Sequence, residues 1–148
     1  MIFLGLDPGK SGGVAVHSGT IVIAECWPET ESDIWDLLRT LTRSEPDLFA
    51  MIEKVHSMPK QGVASSFTFG RGYGFLRGCL VGLGIPFEEV TPQKWQKAMG
   101  CMSKGNKNVT KAKAQQLFPY LDVTHAVADA ILISEYCRRV RTGEGVLV

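Results

Sequence analysis

The stretch IFLGLDPGKSGGVAVHSGTIVIAEC, residues 2–26, decides the fold. Ile2 to Leu6 is a short apolar run ending at Asp7, and Pro8-Gly9 then breaks it, the pattern of a buried strand entering a turn. Val14 to His17 and Ile21 to Cys26 are two further β-branched runs joined by Ser18-Gly19-Thr20, so the segment predicts an antiparallel meander of three strands. Gly9-Lys10-Ser11 resembles the end of a phosphate-binding P-loop, but Leu4 stands where that motif needs its first glycine. Gly12-Gly13-Val14 also opens a strand where a P-loop opens a helix. Gly9, Gly12 and Gly13 are therefore expected to shape a tight hairpin.

Beyond the meander, Ile34, Leu37, Leu38 and Leu41 share one face of a helix over 33–43, with Asp33 as its N-cap. Glu45-Pro46-Asp47 ends it, and Leu48 to Val55 reads as a strand that is apolar until Glu53. A loop over 56–64 leads to a helix over 65–84, in which Phe67, Leu76, Leu80 and Leu83 alternate with glycines at 70, 72, 74, 78 and 82. Each glycine costs about 1 kcal/mol in a helix interior, so this many imply close packing or close approach by another molecule. Ile85 to Val90 is a further strand, Pro92 opens a short helix, and 100–108 is a loop. Val109 to Phe118 is a lysine-bearing helix stopped by Pro119, and the last helix runs from Thr124, its cap, to Val140, with a stop near Gly143. The order predicts an α/β fold: a mixed five-stranded sheet, made of the antiparallel meander plus two parallel strands, flanked by helices.

With 148 residues, of which 45% are apolar and 21% charged, the chain fits one globular domain over 1–148. A chain of this length buries roughly two thirds of its unfolded surface and needs no disulfide or metal staple. The cysteines at 26, 79, 101 and 137 lack metal-site or disulfide-framework spacing and are expected to be reduced thiols in a cytoplasmic protein. No apolar stretch approaches the ~18 residues of a membrane span. The net charge of +1 reads at first against a nucleic-acid binder. Its layout reads otherwise: residues 1–53 hold nine acids and three bases, residues 54–113 ten bases and two acids, and residues 114–148 three bases and four acids. An acidic site beside a surface that faces a polyanion accounts for this asymmetry.

Three acids end otherwise apolar elements: Asp7 on the first strand, Glu53 late in the fourth, and Asp129 within Ala126-Val127-Ala128-Asp129-Ala130-Ile131 of the last helix. His125 precedes Asp129 by four residues and so shares its helix face. Each has an ordinary reading alone. Asp7 can open the Pro8-Gly9 turn, Glu53 can pair with Lys10 or Lys54, Asp129 can pair with an arginine, and His125 can be a polar first-turn residue. Jointly, buried carboxylates that converge repel one another, and hard divalent cations relieve that repulsion.

These pieces resemble the RuvC-like Holliday junction resolvases of the RNase H superfamily. The matching residues are Leu6-Asp7-Pro8-Gly9 with Gly12 and Gly13, Ile52-Glu53-Lys54-Val55, Val90-Thr91-Pro92, and His125 with Ala128-Asp129-Ala130, in the family's order over nearly the whole chain. The resemblance implies an RNase H-like sheet and a crossover junction endodeoxyribonuclease that resolves four-way or other branched DNA by paired nicks. Asp7, Glu53, His125 and Asp129 would be both its catalytic residues and its metal ligands. Asp7 would bridge two Mg²⁺ ions, for which Mn²⁺ substitutes, Glu53 would hold one of them, and Asp129 with His125 would complete the other side. One metal would activate the attacking water and the second would stabilise the leaving 3′ oxygen.

The family pattern often places its fourth ligand three residues before the last aspartate, where this chain has Ala126, so Asp122 is the alternative to His125. The family's junction-wedging aromatic falls at His56, which leaves Met58 or Phe67 for that task. Lys60, Arg71, Arg77, Lys94, Lys97, Lys104, Lys107, Lys111 and Lys113 are the candidate DNA contacts, supplying affinity without reading sequence. Trp95 reads as a core or interface anchor. The resemblance further implies a homodimer, since two symmetric nicks need two sites. It implies neither a nucleotide cofactor nor a membrane partner, and its setting would be a bacterial or phage-infected cytoplasm. A nuclease for flaps or RNA/DNA hybrids, and a non-catalytic junction-binding module, are the competing readings.

Overall fold

A computed structural model describes residues 1–54 and 62–145. Strands β1 (Ile2–Asp7), β2 (Gly13–His17) and β3 (Val22–Cys26) precede helix α1 (Glu31–Ser44). Then follow β4 (Leu48–Glu53), α2 (Val63–Leu83), β5 (Phe87–Val90), α3 (Pro92–Ala98), α4 (Lys107–Leu117) and α5 (His125–Thr142). The five strands form one sheet in the order β3-β2-β1-β4-β5. β1, β2 and β3 pair antiparallel, whereas β4 runs parallel to both β1 and β5. This is the mixed sheet the sequence predicts.

Strand alternation divides the core between the two faces of the sheet. Leu4, Leu6 and Ile52 point toward α1 and α2, where Leu38, Leu76 and Leu80 meet them. Phe3, Ala15 and Met51 point the other way, toward Trp95, Ala114, Ile131 and Leu132. α5 lies directly on the sheet because Gly5 has no side chain: a Cβ there would overlap the carbonyl oxygen of Ala130 and the backbone nitrogen of Ser134. Gly12 admits the hairpin in the same way, since its Cβ would strike the Asp7 carbonyl oxygen, and the Gly12 N–H bonds to the Gly9 carbonyl at 3.1 Å.

Several boundaries differ from the sequence reading for local reasons. α1 is capped by Thr30, whose hydroxyl accepts from the Asp33 N–H at 3.1 Å, so Asp33 sits in the first turn, where the helix dipole favours an acid. β5 begins at Phe87 instead of Ile85 because Gly84, in the left-handed conformation, closes α2, and the Ile85 N–H joins that closure through the Leu80 carbonyl. Asn106 caps α4 through the Asn108 N–H and starts that helix at Lys107. Of the α2 glycines, Gly82 meets the Trp35 ring at 3.6 Å, while Gly70, Gly72, Gly74 and Gly78 face open space.

The sequence reading did not bring out a buried ionic cluster. The Glu135 carboxylate accepts from His17 Nε2 at 2.8 Å, from Nε and Nη2 of Arg138 at 2.8 and 2.9 Å, and from Arg139 Nε at 2.7 Å. His17 Nδ1 accepts the Gly19 N–H at 2.9 Å, which leaves Nε2 as the protonated nitrogen. At the β3 edge the Tyr120 hydroxyl accepts the outward N–H of Val22 at 2.7 Å. All four cysteines are free, and among the described residues no helix is long and apolar enough to cross a membrane.

Candidate metal centre

Leu6 pairs with Ile52 in the parallel register of β1 and β4, so Asp7 and Glu53, the next residues on each strand, leave the sheet together. Asp129, one turn into α5, descends on them from the covering layer, and the approach at Gly5 lets it reach. The carboxylates of Asp7, Glu53 and Asp129, each partly buried, offer oxygens that lie within 4.8 Å of one another. The three acids singled out in the sequence therefore meet.

Two of the acids are tied down by a neighbouring indole. Trp27 Nε1 donates to the Asp7 carbonyl at 2.8 Å and Trp95 Nε1 donates to Glu53 Oε2 at 2.7 Å, while the Thr110 hydroxyl, which donates to the Lys107 carbonyl at 3.3 Å, lines the cavity beside Asp129. Among the described residues no ion pair joins Glu53 to Lys10 or Lys54; the indole takes that place. Burial, followed by the charges of Glu53 and Asp129, pushes Asp7 well above the usual carboxylate range, against the pull of Lys107. Burial pushes Glu53 up to about 7, with the Trp95 bond opposing and the Asp129 charge assisting. Asp129 is raised by burial, against Thr110 and Lys107. A set of oxygen donors whose negative charges resist coexistence matches the demand of a hard divalent cation.

His125 stands apart from this cluster. It is exposed at the start of α5, and its Nε2 lies 2.8 Å from Asn108 Oδ1. Asp122, also exposed, precedes the helix. Beside Asp129 opens a cavity of about 310 Å³, walled by Gln93 and Gln96 of α3, the 102–105 loop, and Lys107 and Thr110 of α4. Gln96 Oε1 pins the loop by accepting from the Ser103 N–H and hydroxyl, both at 3.1 Å, and Lys104 there is left-handed at φ 50°.

The basic residues divide into groups. Lys104 and Lys107 line the cavity, Lys94 and Lys97 are exposed on α3, and Lys111 and Lys113 lie partly buried on α4. Arg71 and Arg77 sit on α2, engaged by Glu31 at 3.5 Å and Glu89 at 2.6 Å. Lys60, His56 and Met58 fall outside the described residues. Phe67 is 70% exposed near the start of α2. Trp27 and Thr110 escaped the sequence reading, and Trp95 was seen there only as an anchor. The available signal was that a buried indole N–H must find an acceptor.

No family model matches the chain, and no curated protein resembles it in sequence. Solved structures do. The chain is similar to Thermus thermophilus RuvC in complex with a Holliday junction substrate, with a TM-score of 0.70 at 14% identity over 100% of this chain and 99% of that one. It is also similar to a second Thermus thermophilus RuvC structure, with a TM-score of 0.64 at 15% identity over the whole of both chains. The sheet order, the helices on its two faces and this end-to-end correspondence give the chain the RNase H-like fold of RuvC.

Proposed function

We propose that the chain is a divalent-metal-dependent endodeoxyribonuclease that resolves four-way or other branched DNA by paired nicks. The observation that carries this reading is the meeting of Asp7, Glu53 and Asp129 within 4.8 Å, on a fold whose neighbour was solved on a Holliday junction substrate. Asp7, Glu53 and Asp129 would hold the cations, Mg²⁺ or in its place Mn²⁺, with His125 as a further ligand on release from Asn108. When bound, such ions activate water and stabilise the leaving oxygen of an in-line displacement.

The chain's own residues do the remaining work. Trp27 fixes the Asp7 main chain and Trp95 the Glu53 carboxylate. Lys104 and Lys107 draw a phosphodiester toward the acids, and the cavity beside Asp129 takes a neighbouring nucleotide. Lys94, Lys97, Lys111 and Lys113 hold the backbone further out, with Lys60 as an additional contact, while Arg71 and Arg77, already engaged by Glu31 and Glu89, add little. Phe67 is a candidate wedge. A second copy would dock on the exposed α2 stripe of Val63, Gly70, Gly74, Gly78 and Val81, whose glycines leave room for a facing helix.

The test is cleavage of a labelled mobile four-way junction with Mg²⁺, beside flap, duplex and RNA/DNA hybrid substrates. The expected result is symmetric paired nicks on the junction by the native protein. Asp7→Asn should cut nothing yet still bind the junction. Full activity of Asp7→Asn, or tight binding without cleavage under any divalent ion, overturns the proposal. Preferred cutting of flaps or hybrids would reassign the substrate.

A further inference from the structure

Trp95 is fully buried, and its helix is fixed at both ends. Thr91 caps α3 by accepting the Lys94 N–H, and the Met99 N–H closes on the Trp95 carbonyl at 2.9 Å. The indole is thus held by the core, and its N–H is directed at Glu53 Oε2, 2.7 Å away. A carboxylate can bind a cation through one oxygen or chelate it through both. With a rigid donor on Oε2, one of that oxygen's lone pairs and part of its charge are already engaged, and the buried indole cannot turn away to release them, which favours binding through Oε1 over chelation through both oxygens. Among the described residues no donor reaches Oε1.

Resting on the metal-centre reading above, we propose that Trp95 makes Glu53 a one-oxygen ligand and thereby favours small octahedral cations over Ca²⁺. Mg²⁺ and Mn²⁺ take six ligands and accept single carboxylate oxygens, whereas Ca²⁺ takes six to eight and gains from two-oxygen carboxylates. Trp95 acts through Glu53 and is a positioning residue. This role is specific: a residue that only supported the fold would affect all cations alike when altered.

The experiment titrates the DNA-free protein with Mg²⁺, Mn²⁺ and Ca²⁺ by calorimetry. It compares the native chain with Trp95→Phe and with Trp95 replaced by 3-benzothienylalanine, which keeps the ring shape and puts sulfur in place of N–H. Freeing Oε2 should raise the ratio of Ca²⁺ to Mg²⁺ affinity roughly tenfold, within the range by which outer partners tune metal sites. Ca²⁺ should then inhibit Mg²⁺-supported cleavage at correspondingly lower concentration. Should Trp95→Phe fail to fold, the isosteric variant decides. A ratio unchanged within about twofold, or an equal loss for all three cations, overturns the role of Trp95 while leaving the centre standing. Absence of cation binding by the native chain overturns the centre and this role with it.

Discussion

Gly5 on β1 and Ala130 on α5 are in contact through their backbones, with no room for a single methyl group between the strand and the Ala130 carbonyl. That contact sets the height of α5 above the sheet, and therefore the reach of Asp129 toward Asp7 and Glu53. Gly5→Ala must lift the helix or tilt it. Overpacking of this kind is expected to cost about 3 kcal/mol, read by denaturant unfolding. At equal folded fraction, cleavage should fall further than stability, because the acids are drawn apart. Gly72→Ala, where the added Cβ meets open space in a helix interior, is the control and should stabilise by about 0.5 to 1 kcal/mol.

Glu135 governs the acid side of the stability profile. Burial alone would raise its carboxyl, but the hydrogen bonds from His17, Arg138 and Arg139 prevail and hold it well below its ordinary value of 4.5. A carboxylate whose value is depressed by folding contributes stability above that ordinary value and loses it as the pH falls toward the folded one. Native stability should therefore decline below about pH 4.5, and Glu135→Gln should flatten that decline. At pH 7 the same variant should be less stable by about 1 to 3 kcal/mol, since it removes the charge that the half-buried Arg138 and Arg139 share, although Arg138 keeps its ion pair with Glu144. Urea titrations across the pH range read both effects.

Salt dependence of junction binding should separate the basic residues. Lys104→Gln removes a charge from the rim of the cavity and is expected to reduce the slope of log K against log[salt] by about 0.9. Arg77 already has Glu89 at 2.6 Å, so Arg77→Gln should leave the slope nearly intact. Binding measured at several salt concentrations in chelator, where no cleavage intervenes, distinguishes the two. Equal slopes for both variants would place the DNA along α2 as well.

Much of this was legible in the chain. The meander follows from β-branched runs with turn residues between them, and Pro92 and Gly143 mark helix ends by their backbone constraints alone. Asp7, Glu53 and Asp129 stood out because burial ordinarily excludes acids. What escaped depends on contacts between distant parts of the chain. Nothing near Trp95 in sequence says that its N–H meets Glu53, and nothing near His17 announces Glu135. His125 shows the limit of periodicity: a spacing of four puts it on the Asp129 face, but one helical turn is about 5.4 Å of axial distance. Its ring therefore lies beyond the cluster, beside Asn108.

The bond between Tyr120 and Val22 bears on how this sheet ends. β3 is an edge strand, and Ile21 just before it and Ile23 within it are 57% and 67% exposed, a combination that ordinarily invites a strand from another molecule to add on and grow into an aggregate. The Tyr120 hydroxyl occupies one of the outward backbone donors on that edge. One phenol thus withholds from an incoming strand one of the backbone donors through which it would pair with β3.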